Sequence, residues 1–160
     1  MKSPVIRCAV PFAIALTLAG CRDGPASPSR EGPLRLSASS TRAVVTAADP
    51  ATLTFRLENT GSAAIRLTFS SSCQLMPYIV EIGTGELVYP GGGGWVCLTV
   101  MTELTLPPGG AETKTVQVRA AGTSGSGLAA VLSPGVYRAY AQLEDLDYRL
   151  RSRSILIQVR

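Results

Sequence analysis

The chain of 160 residues contains no histidine. Without an imidazole, neither a Ser–His nor a Cys–His pair can form, which removes the usual means of activating a serine or cysteine nucleophile. Charged residues make up only 16% of the chain, and the carboxylates are scattered apart from one acidic cluster at residues 144–147. The sequence therefore predicts a protein that is not an enzyme, with no catalytic residues, no cofactor and no small-molecule substrate.

The chain also lacks an apolar run long enough to cross a membrane as a helix. Its apolar run near the N-terminus, about residues 9–18, has about ten residues, whereas a spanning helix needs about twenty. Lys2 and Arg7 make a short basic start before this run, and small residues ending in Cys21 follow it. This order is typical of a secretory signal peptide, so we expect the protein to be exported.

The end of this signal, Leu18-Ala19-Gly20-Cys21, resembles a bacterial lipobox. The resemblance implies cleavage before Cys21, diacylglycerol on its thiol and acylation of the new amino group; the alternative is an ordinary signal with an incidental cysteine. Two or three acyl chains hold a protein firmly on a membrane. We therefore expect residues 1–20 to be a lipoprotein signal peptide and Cys21 to be the lipidated residue. Arg22, and not Asp, follows Cys21; by resemblance to the sorting rules of Gram-negative lipoproteins, this implies the periplasmic face of the outer membrane in such a host, and otherwise the cell surface.

The mature chain then divides into a tether and one domain. Residues 21–33 are rich in proline, glycine and serine without apolar periodicity, which is typical of a flexible tether. Residues 34–160 are long enough for one domain with its own core. Loss of Lys2 and Arg7 lowers the formal net charge from +4 to +2. With this small charge and no recognition motif, nucleic acid is not an expected partner.

Cysteine is scarce, with four residues in the chain. Cys8 leaves with the signal and Cys21 takes the lipid, so Cys73 and Cys97 remain. An even pair in an oxidising compartment predicts a disulfide between them. A metal site would need further ligands, and histidine is absent, so no metal is expected.

Apolar and polar residues alternate through most of the domain. Leu53, Phe55 and Leu57, for example, alternate with polar residues and are followed by the turn sequence Asn59-Thr60-Gly61-Ser62. One apolar and one polar face is typical of antiparallel strands. No segment has helical spacing, and residues 128–132 are either a short helical turn or an unpaired connection. The pattern predicts an all-β fold, a single immunoglobulin-like antiparallel β-sandwich of about 7–9 strands.

Tyr137 lies where a late strand begins, just after the turn sequence Ser133-Pro134-Gly135. This position suits a tyrosine corner, in which the phenol hydroxyl bonds back to the turn. The alternative is a half-buried strand tyrosine.

Four glycines, residues 91–94, precede the single tryptophan of the chain, Trp95. A phosphate-binding loop would need a lysine followed by serine or threonine before a helix, and these are absent. Two interpretations stay open: Trp95 folds back over the end of the sandwich, or it belongs to an exposed aromatic tip that docks on a partner. The candidate partner-binding residues are Tyr78, Tyr89, Gly92, Gly93 and Trp95.

Two charged clusters near the C-terminus each have two interpretations. Three of residues 144–147 are acidic (Glu144, Asp145 and Asp147), and they either bind Ca²⁺ or form a solvated turn. Arg149, Arg151 and Arg153 alternate and would lie on one strand face. They either meet an acidic partner or anionic headgroups, or they are solvated and pair with the acids before them.

The strands and turns together resemble the BsuPI domain, a family named for an intracellular proteinase inhibitor of bacilli. The resemblance rests on residues 53–59, 65–71, 83–89, 104–109 and 132–137. It implies a β-sandwich fold and inhibition of serine proteinases of the subtilisin-like kind. Residues 91–95 are then the candidate loop for the protease cleft.

Two functional hypotheses follow. The main one is a lipid-anchored protein-binding module of the cell envelope without catalytic activity, with the membrane and another protein as partners. The alternative is a proteinase inhibitor of serine, subtilisin-like proteases.

The lipid anchor can be tested with Cys21→Ser. This variant should leave the membrane or fail to mature, because the lipid is carried on the thiol. Fractionation of cells into membrane and soluble parts measures the effect, and Cys8→Ser, within the signal, is the matched control that should stay anchored. Normal processing and membrane association of Cys21→Ser would contradict the lipobox.

Overall fold

A computed structural model describes residues 29–91, 94–121 and 129–160. The described residues form β-strands and no helix, so the predicted all-β class is confirmed. No helix in these ranges is long and apolar enough to cross a membrane. The predicted signal peptide, Cys21, the tether up to residue 28, and Gly92 and Gly93 lie outside the described residues.

Thirteen strands are present in the described ranges. In chain order they are β1 (Ser29–Glu31), β2 (Leu34–Ser40), β3 (Val44–Val45), β4 (Ala51–Asn59), β5 (Ile65–Phe69), β6 (Leu75–Glu81), β7 (Leu87–Tyr89), β8 (Thr102–Leu106), β9 (Ala111–Ala120), β10 (Ala129–Leu132), β11 (Gly135–Glu144), β12 (Arg149–Arg151) and β13 (Ile155–Val159).

The strands are arranged in three sheets. Sheet A has the order β1-β2-β4-β9-β10, and sheet B has the order β3-β13-β11-β6-β7 with β12 beside β11. Strands β5 and β8 form a separate two-stranded sheet C. Most neighbouring strands are antiparallel, but β10 runs parallel to β9 and β3 runs parallel to β13.

Alternation along the strands places the core between sheets A and B. Every second residue of β4 is buried, as is every second residue of β11 from position 137 to 143. The apolar members of both rows belong to one hydrophobic cluster. Two sheets that bury facing rows of side chains form a sandwich, which confirms the predicted sandwich, although the sheets are mixed and not wholly antiparallel as predicted.

Two details differ from the sequence prediction. The number of strands exceeds seven to nine because four of them, β1, β3, β7 and β12, have only two or three residues, too few to show alternation. The interpretation of residues 128–132 as a helical turn or unpaired connection is wrong for Ala129–Leu132. These residues form β10, which pairs in parallel with β9 and so is not marked by a hairpin turn in the sequence.

Asn59 ends the buried row of β4 and joins three parts of the chain. Its side-chain amide donates to the carbonyl oxygens of Ala63 (2.8 Å), Leu106 (2.9 Å) and Pro107 (3.2 Å). Its side-chain oxygen accepts the amide of Gly61 at 2.9 Å. Because the side chain is fully buried, these bonds replace the water that the amide loses on folding. The end of β8 is thereby held against the end of β4.

Tyr137 makes the hydrogen bond that defines a tyrosine corner. Its hydroxyl donates to the carbonyl oxygen of Ser133 at 2.8 Å. Burial raises the pKa of Tyr137, with smaller contributions from Glu81 and Glu86. The phenol therefore keeps its proton as a donor to the turn that starts β11.

Asn59→Ala should lower the free energy of unfolding by about 3 kcal/mol, because buried carbonyl groups lose their donor. The matched control is Thr60→Ala, which removes one exposed bond to Pro33 and should cost about 1 kcal/mol or less. Urea denaturation measures both losses of stability as shifts of the midpoint, provided that the slope of the free energy of unfolding against urea concentration does not change. Equal loss in the two variants would contradict the central role of the Asn59 amide.

Candidate functional site

The connection between β7 and β8 exposes a row of apolar side chains. Residues 94–101, here called the 94–101 segment, have no regular secondary structure. Val96 is 94% exposed, Leu98 69%, Met101 59% and Val100 49%. Scattered exposed apolar residues are ordinary, but several along one short segment are typical of a surface that binds another molecule.

A disulfide and two hydrogen bonds hold the 94–101 segment to the rest of the domain. Cys97 is bonded to Cys73, with Cα atoms 5.4 Å apart, so the predicted disulfide is present. Ser72 donates its backbone amide to the Leu98 carbonyl oxygen at 3.0 Å, and its hydroxyl oxygen accepts the Leu98 amide at 2.9 Å. The middle of the segment is thus tied to the residues that follow β5.

Sheet C holds the end of β5 next to the start of β8. Strands β5 and β8 pair from Ile65 opposite Leu106 to Phe69 opposite Thr102. The Thr102 hydroxyl also donates to the carbonyl oxygen of Ser71 at 2.7 Å. The chain therefore leaves β5 and enters β8 at the same end of one ladder, and the 94–101 segment leads into β8 at that end.

Trp95 is half-buried and folds back on the sandwich. Its indole N–H donates to the carbonyl oxygen of Pro77 at 3.2 Å. Its ring meets Tyr89 edge to face, with 5.8 Å between centroids and an interplanar angle of 84°. Burial raises the pKa of Tyr89. This geometry corresponds to the first of the two interpretations of Trp95, in which the indole covers an end of the sandwich.

Tyr78 does not join Trp95 and Tyr89, so the structure does not contain the three-residue aromatic tip. Tyr78 precedes the buried Ile79, which lies opposite Tyr89, and neighbouring side chains on a strand point to opposite faces. Its ring stacks on Tyr140, with centroids 5.3 Å apart. Burial raises the pKa of Tyr78, and the charge of Glu144 adds to the effect.

A cavity of about 330 Å³ lies under the start of the 94–101 segment. Met76, Tyr89, Trp95 and Val96 line it, together with Lys114 from β9. Among the described lining residues, Lys114 is the only charged one, and it pairs with Glu112 at 3.1 Å. The described lining thus offers no pair of carboxylates for acid–base chemistry.

The acidic residues 144–147 shape a turn. Asp145 is buried, and its carboxylate accepts the backbone amides of Asp147 (2.9 Å) and Tyr148 (3.1 Å) as well as that of Thr68. The carboxylate is therefore neither solvated nor free for a cation. In the described ranges, no three or more Cys, Asp or Glu residues come together as metal ligands.

The three arginines after this turn do not all lie on one strand, contrary to the sequence prediction. Arg149 and Arg151 belong to β12, whereas Arg153 follows the strand. The Arg151 guanidinium lies over the Tyr140 ring at 3.7 Å from its centroid, a cation–π contact. Arg149 donates its backbone amide to Glu31 at 3.0 Å.

Sequence reasoning placed the candidate loop at residues 91–95 and missed the exposed apolar residues after Trp95. One signal was available, because residues 87–102 contain no Asp, Glu, Lys or Arg. Apolar residues in an uncharged stretch are as compatible with a buried strand as with an exposed loop. The sequence therefore could not decide their exposure.

An all-β sandwich with a disulfide-held, exposed apolar segment defines a class of domain that presents a loop on a stable scaffold. The chain belongs to the BsuPI family: the family model, described as intracellular proteinase inhibitor, matches residues 39–148. The match includes the whole 94–101 segment and confirms the resemblance inferred from the sequence.

Comparison with solved structures finds distant likenesses. The β-glucosidase EmGH1 from Erythrobacter marinus is 13% identical, with a TM-score of 0.42 over 77% of this chain and 15% of that one. A Listeria innocua β-glucosidase in complex with glucose is 15% identical, with a TM-score of 0.42 over 79% of this chain and 16% of that one. The C-terminal domain of wzt is 11% identical, with a TM-score of 0.47 over 87% and 80%. None of the curated proteins compared with the chain matches it.

The family match corrects the main functional hypothesis. A protein-binding module of the cell envelope was expected, whereas the matching family is one of proteinase inhibitors. The finding favours the alternative hypothesis, and an inhibitor family agrees with the expectation that the chain is not an enzyme.

The contacts of Trp95 can be tested with two variants. Trp95→Phe keeps an aromatic ring against Tyr89 but loses the N–H donor, which should lower the free energy of unfolding by about 1 kcal/mol. Trp95→Ala also loses the ring contact and should cost about 1 kcal/mol more. Urea denaturation followed by circular dichroism measures both. Wild-type stability in Trp95→Ala would show that the indole is not packed.

Proposed function

We propose that the protein inhibits serine proteinases by presenting the 94–101 segment to the protease cleft. One observation carries the proposal. In a chain of an inhibitor family, exposed apolar side chains lie on a segment whose backbone is tied to the scaffold by Cys97 and Leu98.

A held segment suits an inhibitor because it has little freedom left to lose. Ordering a loose loop on binding costs about 0.5–1.5 kcal/mol for each immobilised side chain with several rotamers. Here the disulfide, the two Ser72–Leu98 bonds and the Thr102–Ser71 bond already order the backbone. Protease–inhibitor pairs are typically pre-organised in this way.

The disulfide also explains how such a segment could resist its target. Cys73 and Cys97 close a ring with a sequence separation of 24. If a protease cut a peptide bond within the ring, both new ends would stay joined through the disulfide. The product would remain in the cleft rather than diffuse away as two fragments.

The side chains of the segment favour proteases with apolar specificity pockets. Trypsin-like enzymes have an aspartate in the S1 pocket and take basic residues, whereas the chymotrypsin and elastase pockets are apolar. Residues 94–101 contain no Lys or Arg. The proposed targets are therefore chymotrypsin-, elastase- or subtilisin-like enzymes, and trypsin is excluded.

We propose an extracytoplasmic location for this inhibitor. The lipobox-like sequence and the signal before it support export, and Cys21 supports a lipid anchor. The disulfide adds independent support, because disulfides persist mainly in oxidising compartments. The target proteases would then be ones that act outside the cytoplasm.

The first experiment is titration of subtilisin, chymotrypsin and elastase with the purified protein, with trypsin as the control. Stoichiometric loss of activity is expected for at least one of the first three enzymes and not for trypsin. Full activity of all three in the presence of intact protein would refute the proposed function.

A second experiment tests the part played by the disulfide. The double variant Cys73→Ser, Cys97→Ser should be cleaved between residues 94 and 97 and lose inhibition, because the disulfide no longer joins the two new ends. The chain-entropy estimate for a ring of this size predicts a loss of roughly 3–4 kcal/mol in stability, so folding is checked by circular dichroism. Mass spectrometry of the digest identifies the cleaved bond. Undiminished inhibition by the folded variant would contradict the role of the ring.

A further inference from the structure

Four exposed apolar residues of the 94–101 segment could in principle enter a protease pocket, and the backbone distinguishes between them. A serine protease holds the carbonyl oxygen of the residue before the scissile bond in its oxyanion hole. That oxygen must be free of bonds within the inhibitor. The residue must also be held on both sides, so that its side chain is presented in one place.

Leu98 fails this requirement although its side chain is well exposed. Its carbonyl oxygen accepts two backbone amides, those of Ser72 at 3.0 Å and Val100 at 2.9 Å. Its own amide donates to the Ser72 hydroxyl at 2.9 Å. Both polar groups of the Leu98 backbone are therefore used inside the protein, and Leu98 acts as a support of the segment.

Val100 and Met101 are less suitable for a different reason. Both are less exposed than Val96 and follow Cys97, so they lie outside the ring that the disulfide closes. Cleavage after either residue would divide the chain without a covalent link between the parts. The Val100 amide is also already bonded to Leu98.

Val96 meets each requirement. Its side chain is 94% exposed, and its backbone amide and carbonyl have no hydrogen-bond partner among the described residues. The residue before it, Trp95, is anchored on Pro77, and the residue after it, Cys97, is anchored on Cys73. The bond between Val96 and Cys97 lies inside the disulfide ring.

We propose that Val96 is the residue that fills the S1 pocket of the target, which makes a small apolar pocket of the elastase type the matching partner. This inference rests on the proposed function. Valine has a short side chain that fills a small pocket and leaves space in a wide one. Its branched Cβ restricts the side chain to few rotamers, so little freedom is lost on binding.

The test uses Val96→Lys to change which protease is inhibited. The matched control is Leu98→Lys, two residues away. The full protein is kept in mild detergent and titrated against elastase, chymotrypsin, subtilisin and trypsin. The wild type should inhibit elastase most strongly. Val96→Lys should weaken elastase inhibition by about 100-fold, since one group in an apolar pocket changes binding by up to this order, and should gain inhibition of trypsin. Leu98→Lys should leave trypsin active.

Three results would overturn the assignment and leave the proposed function intact. In the first, the wild type inhibits chymotrypsin or subtilisin more strongly than elastase. In the second, Val96→Lys keeps the specificity of the wild type. In the third, Leu98→Lys alone gains inhibition of trypsin. Inhibition of no enzyme in the panel by the wild type would overturn both. Thermal unfolding of each variant verifies that the exposed substitution has not altered the fold.

Discussion

The buried amide of Asn59 is the interaction on which the arrangement of the site depends. An amide without water must bond inside the protein, and leaving a buried partner unsatisfied costs about 1–3 kcal/mol. Asn59 meets this demand by bonding to carbonyl groups at the turn after β4 and at the end of β8. It thereby places sheet C against sheet A. The opposite end of sheet C is where the 94–101 segment runs into β8.

The 94–101 segment combines a held backbone with free side chains. The disulfide at Cys97 and the bonds of Leu98 and Trp95 join it to residues 72–77, between β5 and β6 and in β6 itself. Val96, between two anchored residues, keeps its side chain exposed, and its carbonyl group has no partner in the part of the chain that the structure describes. Affinity in such a design comes from low ordering cost as much as from contact area.

Much of the scaffold could be predicted from local pattern. The alternation in residues 51–59 predicted the buried row of β4, and the disulfide partners followed from counting cysteines. The arrangement of the site was harder to predict from the sequence. The sequence analysis grouped Tyr78 with Tyr89 and Trp95, but the pleat of β6 turns it to the other side of the sheet, where it stacks on Tyr140. Short strands such as β3 exist only because a neighbour pairs with them.

The sequence by itself determined the all-β class, the alternating core rows and the family, because these depend on local periodicity and on motifs that follow one another along the chain. Only the tertiary structure decided which apolar residues remain outside. Val96 and Leu98 are chemically like the valines and leucines of the core, and their exposure results from where Cys73, Ser72 and sheet C hold the backbone. Apart from the disulfide, which the cysteine count predicted, those contacts join residues distant in sequence, so no local pattern reveals them.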